Sequence, residues 1–346
     1  MIKLQHKYII GTHVMFFEVD MVGEFIQSVI NASNTVENRE NITVELFYNI
    51  SEYFEKIDTS LISKEELIDK FKALLVPLKE TGVDVREVIY DENKPYAQID
   101  YRRDLNYHNC NYYDYIIWGE SDCLMPAEMF HSLETIKNYA KANNIHRYVT
   151  TFSTRKMWDN SWTVLEHNDF TTKPFHSMKT EPELAQTMPY SIRYNMSIDE
   201  MNEVNNKAEQ FDIRILNYPK FDGSGLVLSS DLIKNNVNVP RCIVGHQVDD
   251  TSMMATCAHM MGKAYVQFIV KNILKVHNRD HSKKRLYALD MDRSSSLSKT
   301  RGARESNWFK ELNTIAKKNL STFGQSQEKF DGYPEFEKII GIDNES

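Results

Sequence analysis

Two rhythms of apolar and polar positions alternate from Lys7 to Trp118. Tyr8 to Ile10 and Val14 to Phe17 are apolar runs of strand type, separated by Gly11-Thr12-His13. From Val19 to Ile30, the residues Val22, Phe25, Ile26, Val29 and Ile30 share one face of a helix. Ile42 to Tyr48 predicts a second strand that ends at Asn49, and Val83 to Tyr90 a third. Between them, Ser63 and Glu66 form a capping box ahead of the stripe Leu67, Phe71, Leu74, Leu75 and Leu78, predicting a helix over 63–78. Gln98 to Asn106 reads as a helix and Tyr115 to Trp118 as a short buried strand. This alternation predicts a parallel α/β sheet with right-handed crossovers.

The pattern continues less regularly. Pro126 suits the first turn of a helix carrying Met129, Leu133, Ile136 and Tyr139. Ile145 to Phe152 and Ile213 to Tyr218 read as strands, and Ser197 with Glu200 caps a helix expected to reach Phe211. Residues 153–195 lack a periodic pattern and predict long loops; Trp158 and Trp162 there suit packing and sugar stacking equally. A long helix is expected from Thr251 to Val276, and a helical tail from Arg304 to the end, carrying Trp308, Leu312, Ile315 and Leu320.

Composition narrows the class. The 346 residues are 41% hydrophobic and 26% charged, enough apolar material for one large domain or two smaller ones. The net charge of −8 argues against a general nucleic-acid coat protein. Cys110, Cys123, Cys242 and Cys257 make no C-x-x-C pair, so a zinc ribbon is not supported and a reducing compartment is expected. No signal-peptide core and no apolar run of membrane-spanning length occurs. The expectation is a soluble, cytoplasmic protein.

Candidate chemistry gathers at four places. Glu120 and Asp122 follow the strand 115–118, where open α/β sheets bind ligands, and hard cations favour such oxygen ligands. A polar turn that closes a strand is the plain alternative. Gly223-Ser224-Gly225 permits close backbone approach to a ligand but is not a P-loop, because no Gly-Lys-Ser/Thr follows. Asp249 and Asp250 open a helix, where an acid caps the backbone or acts as a base. His277 and His281 come after the expected helix, where a cation is electrostatically favourable with or without a metal.

In this order the motifs resemble the GT-A fold nucleotide-sugar glycosyltransferases, most like inverting family 2, over roughly residues 5–285. The resemblance implies a mostly parallel, Rossmann-like sheet flanked by helices, with a helical C-terminal tail. It implies a nucleotide-sugar-binding half at 1–125, an acceptor and catalytic half at 126–290, and a basic extension at 291–346. Glu120-x-Asp122 matches the family's DxD motif, with Glu in the first place, so both are expected ligands of Mn²⁺ or Mg²⁺ and neighbours of the donor. Val248-Asp249-Asp250 matches the xED motif, making Asp250 the implied base with Asp249 beside it. His277 is the implied third metal ligand, with His281 close behind. Within Arg102-Arg103-Asp104, Arg103 matches an arginine that lies near the donor. Thr12, His13 and Asn49, at the ends of the first strands, are the implied nucleotide contacts, with UDP the implied nucleotide. Gly223, Ser224 and Gly225 match the acceptor loop.

The acceptor stays open. Residues 271–304 carry ten Lys and Arg against three Asp, Lys283, Lys284 and Arg285 among them, which suits a polyanion such as double-stranded DNA. The Asn-, Lys-, Ile- and Tyr-rich usage is similar to that of large tailed phages, some of which glycosylate hydroxymethylated bases in their own DNA. That reading would make the protein a DNA-modifying enzyme of the host cytoplasm. A glycan acceptor is the alternative, and a noncatalytic nucleic-acid-binding α/β module is the alternative from another class. A nucleotidyltransferase ranks lower, because Gly11-Thr12-His13 is the only phosphate-loop candidate near the first strand.

Overall fold

The computed structural model describes residues 1–54, 56–57, 59–156, 197–216, 223–245, 248–277, 307–323 and 336–340. Its strands are β1 (Tyr8–Met15), β2 (Ile42–Asn49), β3 (Asp84–Tyr90), β4 (Tyr115–Trp118), β5 (Cys123–Leu124), β6 (Val149–Lys156), β7 (Ile213–Leu216), β8 (Leu226–Ser229), β9 (Gln267–His277) and β10 (Phe336–Ile340). Its α-helices are α1 (Val22–Ser33), α2 (Lys64–Glu80), α3 (Gln98–Asn109), α4 (Met129–Ala142), α5 (Ile198–Asn205), α6 (Ser230–Lys234), α7 (Asp249–Met261) and α8 (Asn307–Phe323).

The fold class is the one expected, a mixed α/β, mainly parallel sheet flanked by helices. The strands run β10-β7-β9-β6-β8-β4-β1-β2-β3. β1 pairs in parallel with both β2 and β4, and β2 with β3. All eight residues of β1 and all four of β4 are buried, the mark of strands covered on both faces. The local signals hold. Ser63 Oγ accepts from the Glu66 N–H while Glu66 Oε2 accepts from the Ser63 N–H, starting α2. Leu67, Phe71, Leu75 and Leu78 of α2 are buried, and Phe71 stacks on Tyr48 of β2 at 4.4 Å. Ser197 and Glu200 make the same reciprocal cap at α5.

Several expectations are corrected. The helix expected from Thr251 to Val276 ends at Met261, next to Gly262 at φ 52°, and Gln267–His277 forms β9. Along β9, Leu274 and Val276 face one side and Lys275 and His277 the other, the period of two that a strand imposes. Residues 336–340, expected inside a helical tail, form β10, which pairs antiparallel with β7. Within the tail, α8 packs on the preceding chain: Ala316 and Leu320 join the core cluster that contains Trp118 and Met253. The segment after Gly225, read only as a ligand loop, is strand β8, antiparallel to β4 on one side and β6 on the other. The helix expected to reach Phe211 stops at Asn205, and the strand expected at 145–152 runs from Val149 to Lys156. Trp158, Trp162, His281, Lys283, Lys284 and Arg285 lie outside the described residues. Among the described residues, no helix is long and apolar enough to cross a membrane.

Candidate active site

β4 delivers the chain to the carboxyl edge of the sheet, and Gly119 lets it turn there. Its N–H donates to the Gly11 carbonyl at 2.8 Å, and a Cβ at this position would run into Thr12 Oγ1 and the Phe25 ring. After Glu120 the chain folds back into β5, whose Cys123 pairs opposite His277, the last residue of β9. That register sets His277 against both acids: its Nε2 lies 3.0 Å from Glu120 Oε2 and 3.2 Å from Asp122 Oδ1. Asp122 and His277 are buried.

One ligand atom from each of Glu120, Asp122 and His277 falls within 4.8 Å of the others. Two carboxylates and one imidazole form a donor set suited to Mn²⁺ or Mg²⁺, with coordination positions left over for a substrate's phosphates. Burial alone would lower the His277 pKa, but Asp122 and Glu120 outweigh it and raise it. Burial alone would raise that of Glu120, but His277 and Arg102 hold it well below the usual carboxylate range.

Arg102 of α3 links this cluster to the second acidic motif. Its guanidinium lies 4.7 Å above the Trp118 ring and is buried. Nη2 donates to Glu120 at 2.8 Å and to the Gly223 carbonyl at 3.3 Å, and Nη1 donates to Asp249. Asp249 is nonetheless pushed up to about 6, because it is buried and close to Asp250 and Glu120. Asp250 differs from it. It is half-buried, its Oδ1 accepts from the Thr251 N–H at 2.6 Å, and its Cβ lies against Gly223. Val248, which precedes the pair, adopts φ 63°, ψ 12°. A β-branched residue in the left-handed region is strained, and such strain clusters at functional sites.

The structure joins some of the expected residues and separates others. His13 and Asn49 meet at the ends of β1 and β2, with Asn49 Nδ2 3.2 Å from His13 Nε2 and donating to the Tyr96 carbonyl at 2.9 Å. His13 also stacks on Phe47 at 5.7 Å. Thr12 is buried beside Gly119, and its Oγ1 has no hydrogen-bond partner among the described residues. A cleft of about 400 Å³ opens between β2, β3 and α3, walled by Phe47, Tyr96, Tyr101 and Tyr112. None of Glu120, Asp122 and His277 lines it.

Arg103 is turned away from the acids. It donates to the carbonyls of Val239, Pro240 and Ile243 and to Asp100, which fixes the 239–243 loop. The arginine among the carboxylates is Arg102, which sequence reasoning passed over. The signal was present: Arg102 falls three residues from Ile99 and from Leu105, on the buried face of α3. Gln98, whose Nε2 is 3.5 Å from Glu120, was also missed as a neighbour of the site.

The sequence matches no protein-family model and no curated protein. Solved structures with a similar course are known. TarS 1–349 from S. aureus is 9% identical, with 92% of this chain and 73% of that one covered at a TM-score of 0.37. Glucosyl-3-phosphoglycerate synthase from Mycobacterium tuberculosis, in complex with Mn²⁺ and uridine-diphosphate-glucose, is 10% identical, with 92% and 78% covered at 0.37. HddC from Yersinia pseudotuberculosis is 10% identical, with 80% and 96% covered at 0.35. None of these scores reaches 0.5.

Proposed function

We propose that this protein is a metal-dependent glycosyltransferase that moves a sugar from a nucleoside diphosphate sugar, UDP-linked by the family resemblance, to an acceptor hydroxyl. One observation carries the reading. Glu120, Asp122 and His277, a divalent-cation donor set, converge at the carboxyl edge of the sheet, and Arg102 joins them to Asp249, the neighbour of half-exposed Asp250.

The bound cation would supply Lewis-acid stabilisation of the diphosphate. The protein's own groups do the rest. The acceptor oxygen bonds to the anomeric carbon as the carbon–oxygen bond to the diphosphate breaks, and the acceptor proton passes to Asp250. A carboxylate serves as that base only if it is ionised and reachable. Asp250 is half-buried, whereas Asp249 is buried against Arg102. Arg102 orients rather than reacts, bonding to both Glu120 and Asp249. His13 and Asn49 supply a polar floor for the nucleotide at the ends of β1 and β2.

The basic segment behind the DNA-acceptor idea lies mostly outside the described residues, and one of its cations, Lys275, is buried in β9 rather than displayed on a surface. The acceptor is therefore tested rather than assigned. A panel of nucleoside diphosphate sugars is incubated with and without Mn²⁺, with plain or hydroxymethylcytosine DNA or with glycans. Metal-dependent release of nucleoside diphosphate is the expected result, and its dependence on each acceptor sorts DNA from glycan. No turnover with any donor, together with binding activity that survives Asp122→Ala and Asp250→Asn, would replace the enzyme by a noncatalytic module.

A further inference from the structure

Strand register sets Glu45 of β2 beside Arg86 of β3, and Phe47 beside Val88. These four line the cleft of about 400 Å³ on the α3 side of the sheet. Tyr101, Asp104, Leu105 and His108 line it from α3, and their spacing puts them on one face of that helix. The cleft exists because α3 packs on β1 and β4, while β3 ends the strand order and is half-buried from Val85 to Tyr90. A strip of sheet at this edge stays open. Its aromatic rings are mostly committed to one another: Phe47 lies 5.1 Å from Tyr96 and 5.0 Å from Tyr101. Tyr112 differs. It lines the cleft, is 72% exposed, and stacks on no other ring among the described residues.

We propose that this cleft binds a neutral saccharide, held apart from the transfer site. Its charges are of both signs. Glu45 Oε1 accepts from the Tyr101 hydroxyl at 3.1 Å, and its Oε2 lies 3.8 Å from Arg86 Nη1, too far for a hydrogen bond. Asp104 Oδ2 accepts from the Tyr96 hydroxyl at 2.9 Å, and Asp104 makes no ion pair among the described residues. Arg86 donates to Asn109 Oδ1 at 3.0 Å and to the Tyr113 hydroxyl at 2.6 Å. An anion here is set against Glu45 and Asp104, and a cation against Arg86. Sugar hydroxyls meet both, because each donates to a carboxylate and accepts from an N–H. The C–H face of a pyranose ring is apolar and suits the free face of Tyr112. The volume falls in the range of small-ligand pockets. Glu120, Asp122, Asp250 and His277 do not line the cleft, so the bound sugar is not the one transferred. Its role is that of an arm of a glycan acceptor, and that role rests on the glycosyltransferase reading. It also favours a glycan over DNA, whose phosphates the two acids repel.

Methyl glycosides of glucose, galactose, mannose and N-acetylglucosamine, with maltotriose, are titrated into the full-length protein without metal or nucleotide. Saturation-transfer NMR detects binding and calorimetry measures it. Uridine, spermidine and inorganic pyrophosphate serve as the planar, cationic and anionic comparisons. Tyr112→Ala removes an exposed ring and Asp104→Asn a carboxylate charge. The expected result is binding of at least one saccharide, weakened about tenfold in each variant. UDP affinity at saturating Mn²⁺ should stay at the wild-type value in Tyr112→Ala. No saccharide binding, saccharide binding that neither variant changes, or a comparison ligand bound through Tyr112 in place of sugar overturns the assignment. Saccharide binding needs no donor, so the two readings fail separately. Tyr112-dependent sugar binding without turnover of any donor supports the cleft and removes the transferase, whereas turnover without sugar binding removes the cleft alone.

Discussion

The Arg102 guanidinium donates to Asp249, a residue 147 positions further along the chain, and the pair is buried. With the bond from Arg102 to Glu120, this ties the acid turn after β4 to the acid pair that opens α7. The link makes the two adjacent arginines of α3 unequal. Arg102→Met strands two carboxylates and should cost about 3–5 kcal/mol of stability, the range for breaking a buried ion pair. Arg103→Met deletes bonds mainly to backbone carbonyls and should cost about 1–3 kcal/mol. Urea unfolding of both variants measures the difference; equal losses would mean that the buried link is not special.

The imidazole of His277 completes the oxygen-rich cluster, so metal affinity should depend on it without the fold doing so. His277→Ala and Asp122→Asn are expected to lose Mn²⁺ binding by calorimetry while keeping a wild-type far-ultraviolet circular dichroism spectrum. Mn²⁺ binding that persists in both would place the ion elsewhere.

Asp249 and Asp250 are neighbours with different surroundings, and their amide variants should separate. Asp250→Asn should lower transfer turnover by about 10²–10⁴-fold, the usual contribution of a general base. Its affinities for UDP and Mn²⁺ should not change. Asp249→Asn should alter stability more than the proton-transfer step, because its main partner is Arg102. Steady-state turnover and UDP titration of both variants check this, and an active Asp250→Asn would remove Asp250 as the base.

Much of the first half of the chain was legible, and the reason is local. Strands β1 to β4 and helices α1 to α3 each carry their own period, and both serine capping boxes mark helix starts by side chains three residues apart. Strand β9 was not legible. Between Met253 and Val276 short apolar runs alternate with one or two polar residues and Gly262 is the one breaker, and a helix and a buried strand look alike in such short runs. The antiparallel placement of β8 between β4 and β6 depends on pairings far apart in the chain, which no local period encodes. At the site, the acids and His277 were reached through the order of motifs, whereas the choice between Arg102 and Arg103 depended on which face of α3 is buried.

Acid sensitivity should appear away from the site. Glu134 of α4 accepts from the N–H groups of Gln5 and His6 and from the Tyr8 hydroxyl, and pairs with His6 Nδ1 at 2.8 Å. Burial works against its ionisation, but the bonds from His6 and Tyr8 prevail and hold its pKa below the ordinary value. A carboxyl depressed on folding stabilises the protein fully above its unfolded pKa, roughly 4.3, and that contribution is lost as pH falls through the folded value. Thermal melts from neutral pH downward should show this acid limb, and Glu134→Gln should flatten it. An unchanged limb in the variant would assign acid unfolding to other groups.

The two residues of β5 lock the turn that follows β4 onto the last residues of β9. The cluster of Glu120, Asp122 and His277 is thus closed by a contact between distant parts of the chain, and closing so long a loop carries an entropic cost that local helices do not meet. A nascent chain that has emerged only as far as β5 already carries Glu120 and Asp122 but has no imidazole to set against them. Assembly of the Glu120, Asp122 and His277 cluster and completion of the sheet are then one event.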